Sequence, residues 1–386
     1  MLPAVKDYRA LARRRLSRFA FDYLEGGAED GRTLARNRAA FAQLIFHPRI
    51  MRDVSTVDAS VTLYGRKQSF PAIVGPTGLN GLYWPRAEEA LAQAAHAAGL
   101  PFAMSTASTS LLEDVRASTA GDLWLQLYVQ QDRRIAESMM QRAQALDFST
   151  LMVTVDTMVH GKRDHDVRNN FKMPLRITPK LLLDLATHPR WCTRMLRQGG
   201  SPQLVNLARS AGTQVNIKLQ AAAMSRQMDM ALDWDSIAWL RDHWRGQVLV
   251  KGVLSVDDAL LAKRYGVNGV ILSNHGGRQL ESAPSPLEIL PDVIDAVGTS
   301  LDLFVDSGVR RGSDIAKARA LGAKAVLLGR APLYGLASRG PQGVREVLQI
   351  LRDEFEITLR LLGVPRAEAL DTNALSADYR ARLARL

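Results

Sequence analysis

The sequence predicts an α/β fold, a (β/α)8 TIM barrel with an N-terminal helical extension and a long insert after the fourth strand. Three observations predict it. Short apolar or β-branched runs alternate with helical patterns from residue 71 onward, eight runs in all. Several of the helical stretches stop at a glycine. Polar residues of unusual type stand at the carboxyl ends of the runs. Such alternation argues for parallel strands joined by crossover helices, and eight such units predict a closed barrel rather than an open sheet.

The elements follow in order. Residues 1–70 form the extension, with a helix expected over 5–24 and a turn at Glu25-Gly26-Gly27. The barrel occupies 71–363, with strands expected at 71–76, 101–106, 123–129, 150–156, 248–252, 269–274, 303–306 and 325–329. Helices are expected at 86–98, 255–265, 286–297 and 313–321. Gly99, Gly266 and Gly322 follow three of these, where a left-handed C-cap favours glycine. The insert, 157–247, is far longer than an ordinary βα loop and reads as a lid or an interaction surface. Residues 364–386 form a C-terminal tail. The whole, 1–386, reads as one domain, because barrels with insertions reach this length.

Composition bounds the function. With 47% hydrophobic and 23% charged residues, the chain has the make-up of an ordinary globular protein with a sizeable core. A formal net charge of +11 points to an anionic partner: nucleic acid, an anionic membrane surface or an anionic substrate. No zinc-finger spacing and no aromatic-basic RNA motif occurs, so no nucleic-acid partner is expected. The one cysteine, Cys192, cannot form an internal disulfide, and no metal site is expected from Cys and His spacing. A reducing compartment follows. Residues 1–15 are basic but lack the apolar stretch of a signal peptide, and nowhere do roughly eighteen apolar residues run together.

Active sites of this fold gather at the carboxyl ends of the strands. Gln126 and Tyr128 end the third run, Thr154 and Asp156 the fourth, Lys251 the fifth, and Ser273, Asn274 and His275 the sixth. The sharpest string is Ser273-Asn274-His275-Gly276-Gly277-Arg278-Gln279. Its imidazole takes a proton near neutral pH, and its guanidinium grips a carboxylate with two parallel donors. A base beside an anion clamp suits proton removal from a hydroxy acid. Each piece alone has a plainer reading: a structural histidine beside a turn arginine, a rim lysine with its head in water, an aspartate that caps a loop rather than partnering a base. The segment 306–313 with Gly329-Arg330 has the character of a phosphate site, where glycines expose backbone N–H groups at a helix start. A phosphate site alone does not separate a flavin enzyme from a barrel isomerase or lyase.

Together, SNHGGRQL at 273–280, YLEGGAED at 23–30, GPTGLNG at 75–81, QLYV at 126–129, TVD at 154–156 and DSGVRRGSD at 306–314 resemble the FMN-dependent 2-hydroxy acid dehydrogenases and oxidases. The resemblance runs from about residue 7 to about residue 363. It implies FMN as cofactor and oxidation of a small (S)-2-hydroxy acid to the 2-oxo acid. It makes His275 the base, Asp156 its partner, Arg278 the main carboxylate anchor and Arg163 a second, more mobile one. Tyr23 and Tyr128 would hydrogen-bond the substrate, and Lys251 would face the flavin N1 and O2 edge. The flavin would further be held by Pro76, Thr77, Gly78, Ser105, Gln126, Thr154 and Ser273. Its phosphate would be held by Asp306, Ser307, Gly308, Val309 and Arg310, with Gly329 and Arg330.

Within the family, Gly78, DLWLQLYV at 122, HPRW at 188 and MSRQMD at 224 resemble the members that act on mandelate. Oxidases of the family usually carry alanine at the position of Gly78; glycine there widens the space beside flavin and substrate. The expected substrate is therefore (S)-mandelate or a similar aromatic acid, giving phenylglyoxylate, with L-lactate or an oxygen-using oxidase as the alternative. Residues 174–212 resemble the membrane-binding segment of those members. Thr178 can cap a helix with Pro179 in its first turn. The helix would carry Leu181, Leu182, Leu183 and Leu185, followed by Trp191, Met195 and Leu196. Lys180, Arg190, Arg194 and Arg197 are interspersed, with Asp184 the one acid. A basic amphipathic stretch with a tryptophan suits the headgroup region of an anionic membrane; a helix packed on the barrel is the alternative. The resemblance implies peripheral attachment at the cytoplasmic side of the inner membrane, a quinone or other membrane electron acceptor, and a homotetramer. A soluble cytoplasmic enzyme is the alternative.

Overall fold

The computed structural model describes residues 1–169, 178–197, 200–212 and 228–386. Residues 174–177 and 198–199 of the segment 174–212, and 224–227 of the MSRQMD motif, lie outside the described residues.

The extension begins with two helices, Val5–Arg15 and Arg18–Glu25, where one was expected. Leu16 between them is fully buried in extended backbone, and Ser17 takes the N-cap position of the second helix. A third helix, Arg32–Gln43, follows, and then a hairpin of β1 (Val61–Leu63) and β2 (Arg66–Gln68).

Eight parallel strands form the barrel: β3 (Ala72–Val74), β4 (Phe102–Ser105), β5 (Leu123–Leu127), β6 (Thr150–Thr154), β7 (Gln247–Val253), β8 (Gly269–Leu272), β9 (Asp302–Val305) and β10 (Ala325–Leu328). They close in chain order, with β10 pairing β3. Most strands are shorter than the sequence suggests, because their polar last residues leave the ladder and turn into the mouth. β7 instead runs past Lys251 through an irregularity at Gly252. Gly252 has φ +111°, and a Cβ there would lie 2.7 Å from the Cβ of Asp156, so only glycine lets the two strand ends approach. The helices Ala87–Ala97, Val256–Arg264, Pro286–Val297 and Gly312–Ala320 stand where the sequence placed them. Gly99, Gly266 and Gly322 have φ of +65°, +69° and +105°.

The two barrel mouths are treated differently. At the amino-terminal mouth the hairpin turn lays Tyr64 against Trp124 and Phe304, with ring centroids 6.3 and 6.2 Å apart. At the other mouth the extension is clamped by a buried amide pair: Asn37 Nδ2 donates to Asn274 Oδ1 at 2.9 Å, and Asn274 Nδ2 donates back to Asn37 Oδ1 at 2.6 Å. The Ala28 N–H adds a bond to the Gly277 carbonyl, 2.8 Å.

The insert contains the helices Asp164–Arg168, Pro179–Ala186, Pro189–Arg197, Val205–Ser210 and Trp234–Asp242. Thr178 caps as expected, its hydroxyl accepting from the Leu181 N–H at 3.2 Å. The expectation that Trp191 and Met195 serve a membrane-facing stripe is corrected. Trp191 is 5% exposed, its indole N–H donates to the Leu82 carbonyl at 2.9 Å, and its ring meets Phe19 edge-on at 5.4 Å. Met195, four residues on, is buried on the same helix face. Arg194 also leans inward, its guanidinium 3.9 Å from the Trp84 ring centroid. Among the described residues of 174–212 the exposed large apolar side chains are Leu182, Leu183 and Leu196. Among the described residues no helix is long and apolar enough to cross a membrane.

An inward Trp191 predicts that Trp191→Ala lowers unfolding stability by about 3–5 kcal/mol in urea titration. A value within about 0.5 kcal/mol would mean that the ring faces outward.

Candidate active site

β6 and β8 bring the first two groups together. Asp156 follows β6, and His275 opens a turn after β8 in which His275, Gly276 and Gly277 all have positive φ, +58°, +68° and +73°. A histidine in that region is uncommon and is held there by its neighbours. The His275 N–H donates to Ser273 Oγ at 3.0 Å, and the Gly277 N–H to Asn274 Oδ1 at 3.0 Å. The turn aims the ring so that Nδ1 lies 2.9 Å from Asp156 Oδ1 and Nε2 lies 3.4 Å from the Tyr128 hydroxyl. Burial pushes the His275 pKa below its ordinary value; Asp156 pulls upward and Lys251 adds to the lowering. Burial raises the Asp156 carboxyl, but His275 and Lys251 outweigh it and hold it below the usual range.

Lys251 is buried, donates to Ser273 Oγ at 2.8 Å and sits 3.2 Å from Asp306 Oδ2. Burial works against its charge, but Asp306 and Asp156 together hold its pKa above the ordinary lysine value. Asp306 also accepts from Ser273 and Ser307 hydroxyls, at 2.9 and 2.7 Å. The Asp306 carboxylate is thus engaged by Lys251 and two hydroxyls, while the residue itself also lines the cavity. Ser307, Gly308, Val309, Arg310, Gly329 and Arg330 line the cavity.

Three buried polar groups form a relay across the barrel mouth. Ser105 Oγ donates to Gln126 Oε1 at 2.7 Å, and Gln126 Nε2 donates to Thr154 Oγ1 at 2.9 Å. Pro76, Thr77 and Gly78 face the same cavity. A Cβ on Gly78 would lie 2.9 Å from the Ala107 methyl, so a larger residue there requires Ala107 to shift.

The arginines come from both sides. Arg278 Nη1 donates to the Tyr23 and Gly26 carbonyls, each at 2.8 Å, and its guanidinium lies 4.9 Å from the Tyr23 ring centroid. Arg163 lies 5.9 Å from the same ring and pairs with Asp166 at 3.5 Å. Arg330 donates to the carbonyls of Leu24, Gly276 and Gly26 at 2.9, 2.9 and 2.8 Å. Burial, with Arg278 adding to it, pushes its pKa down to about 10.

The residues given a catalytic, substrate or flavin role in the sequence all line this one cavity except Asp156 and Ser273, which stand behind His275 and Lys251. Sequence reasoning missed several wall residues: Leu24, Tyr83, Ala107, Thr157, His160 and Met228. Leu24 and Met228 lie inside the quoted strings YLEGGAED and MSRQMD without having been given a role, and Tyr83, Ala107, Thr157 and His160 belong to no motif, so that only the fold brings them here. Gln279 was visible in the 273–280 string but given no role. Its side chain donates to the Asp156 and Val159 carbonyls, both at 2.8 Å, and accepts from the Gly161 N–H, fastening the start of the insert.

By its fold and its mouth the chain is a TIM-barrel enzyme whose site offers a buried cation, a hydroxyl-amide relay and glycine-arginine loops to a phosphate-bearing cofactor. The sequence matches the FMN-dependent dehydrogenase family over residues 12–377, and the chain belongs to that family, with FMN as its cofactor. It is 48% identical over 375 residues to (S)-mandelate dehydrogenase of Pseudomonas putida, covering 97% of this chain and 93% of that one. It is 38% identical over 376 residues to L-lactate dehydrogenase of Caulobacter vibrioides, covering 97% and 98%. A crystal structure of the monotopic membrane protein (S)-mandelate dehydrogenase matches with TM-score 0.93 at 47% identity, covering 97% of this chain and 99% of that one. The chain is thus an FMN-dependent 2-hydroxy acid dehydrogenase by family.

The electrostatics predict that His275 titrates below its ordinary value of 6.5, and that Asp156→Asn lowers it further by removing the charge that pulls it up. NMR of ¹⁵N-histidine-labelled protein reads both; a His275 pKa that rises in Asp156→Asn would contradict the assignment.

Proposed function

We propose that this enzyme oxidises (S)-mandelate, or a similar aromatic (S)-2-hydroxy acid, to the 2-oxo acid and passes the electrons to a membrane quinone. The observation that carries the chemistry is the orientation of His275: Nδ1 rests on Asp156, and Nε2 is turned toward Tyr128 inside the cavity shared with Arg278 and Arg163. The substrate carboxylate binds between Arg278 and Arg163, and the Tyr23 and Tyr128 hydroxyls fix its oxygens. His275 Nε2 takes a proton from the substrate, and Asp156 stabilises the imidazolium that results. The lowered His275 pKa favours this role, because the ring must start neutral. FMN, when bound, supplies the acceptor for the substrate's two electrons. Lys251, Ser105, Gln126, Thr154, Ser273 and 76–78 would hold its ring, and the 307–310 and 329–330 loops its phosphate.

The aromatic substrate is supported by the 48% identity to a mandelate dehydrogenase. L-Lactate is the second reading, favoured by the 38% identity to a lactate dehydrogenase. Attachment to an anionic membrane on its cytoplasmic side, through the insert, is supported by the monotopic relative, by the net charge of +11 and by exposed Leu182, Leu183 and Leu196. We further propose a homotetramer, which the family resemblance supports.

Three outcomes are expected. Under anaerobic conditions (S)-mandelate, and neither (R)-mandelate nor L-lactate, bleaches the visible flavin band; bleaching by lactate alone would move the substrate and keep the chemistry. His275→Asn lowers kcat about 10²–10⁴-fold, and wild-type kcat/KM rises with pH to a plateau whose acid limb lies below 6.5. A Leu182→Ser/Leu183→Ser/Leu196→Ser variant no longer sediments with vesicles containing phosphatidylglycerol, yet still reduces an artificial acceptor; retained sedimentation would remove these leucines from the anchor.

A further inference from the structure

Asp166 takes no part in the chemistry above, yet it is the carboxylate paired with Arg163. It stands in the first turn of the helix Asp164–Arg168, three residues after Arg163 at the N-cap. Asp166 Oδ2 lies 3.5 Å from Arg163 Nη1, with the side chains 18% and 17% exposed. That separation is longer than a charge-assisted hydrogen bond, so the pairing leaves the fork of Arg163 open to a second anion. Arg278 is anchored differently, on two backbone carbonyls. Among the described residues, Arg163 has Asp166 as its one ion-pair partner, and its guanidinium lies over the Tyr23 ring. Both guanidinium groups lie against that ring, at 5.9 and 4.9 Å, so they repel each other across it. The repulsion is felt at Arg278, whose pKa burial and Arg163 lower, while Asp166 opposes them.

We propose that Asp166 is a positioning residue for substrate binding: it tethers Arg163 beside Tyr23 and offsets its repulsion with Arg278, so that both arginines meet one substrate carboxylate. This rests on the reading of Arg163 as a carboxylate clamp. A tether of this kind limits the rotamer freedom that an arginine otherwise loses on binding, so its effect falls on substrate affinity rather than on the proton transfer at His275. The plainer role for an aspartate here is a favourable charge at a helix start, and that role does not depend on Arg163.

The test is a double-mutant cycle on the FMN-loaded enzyme, with Asp166→Asn, Arg163→Met and both together. Asp166→Asn raises the KM for (S)-mandelate about tenfold, changes kcat less than threefold, and leaves the KM for the uncharged mandelamide unchanged. In the Arg163→Met background Asp166→Asn has no further effect on KM, and Asp166→Glu restores most of the affinity. An equal rise in KM with or without Arg163 would assign Asp166 to helix stability, and a fall in KM would make it a competitor for Arg163 rather than its tether; either overturns the proposal. If Arg163→Met alone leaves the KM for mandelate unchanged, the clamp reading itself fails, and with it this inference.

Discussion

The contact between His275 Nδ1 and Asp156 Oδ1, 2.9 Å, is the constraint around which the rest of the mouth is arranged. It joins the ends of two strands that are not neighbours: β7 lies between β6 and β8. To let the side chains meet across it, β7 has a glycine where any Cβ would collide with Asp156, and β8 is followed by three residues in the left-handed region. Two of those three are glycine; the histidine is the one that carries the conformational cost, of the order of 1–3 kcal/mol for strained backbone. Ser273, Asn274 and Asn37 hold the turn against that cost.

Because Asn37 belongs to the extension, the extension is part of the site. Gly277 would clash with Leu34 backbone if it had a Cβ, 2.7 Å away, so the helix Arg32–Gln43 lies directly on the HGG turn. Arg330, after β10, binds carbonyls on both the extension and the turn and locks the two together. Tyr23 is delivered in the same way, its carbonyl held by Arg278.

Much of this was legible in the sequence. The barrel strands and several helices follow from alternation and glycine caps, because those signals are local. The candidate site residues could be read because Gln, Lys and His stand together at several strand ends of one barrel mouth, a convergence that packing alone does not explain. What could not be read depends on tertiary placement. The break at Leu16 is one case, because Val5, Tyr8, Ala12 and Leu16 share one helical face and the local pattern runs straight through it. Trp191 looked interfacial by composition and is instead pinned by the Leu82 carbonyl and the Phe19 ring, both distant in sequence. The pairing of Asp306 with Lys251 could not be read either, because the two come from different strands and meet only in the fold. His160 and Met228 reach the cavity from the insert, whose course no local pattern specifies.

The charge balance of the cavity ties cofactor and substrate to the fold. Arg163, Lys251, Arg278, Arg310 and Arg330 line it, while the carboxylates that touch these cations are Asp166 on Arg163 and Asp306 on Lys251. Asp156 is committed to His275. Unpaired buried charge is costly, and this structure meets part of that cost with backbone dipoles, placing Arg278 and Arg330 on five carbonyl bonds from the extension and the turn. Carbonyl oxygens solvate a guanidinium without cancelling its charge, so the cavity retains a positive excess that a phosphate and a carboxylate are suited to neutralise. On the proposed function, the residues that seat the extension on the barrel are also those that would meet both anions, so that a defect in that seating would reach the chemistry without touching His275.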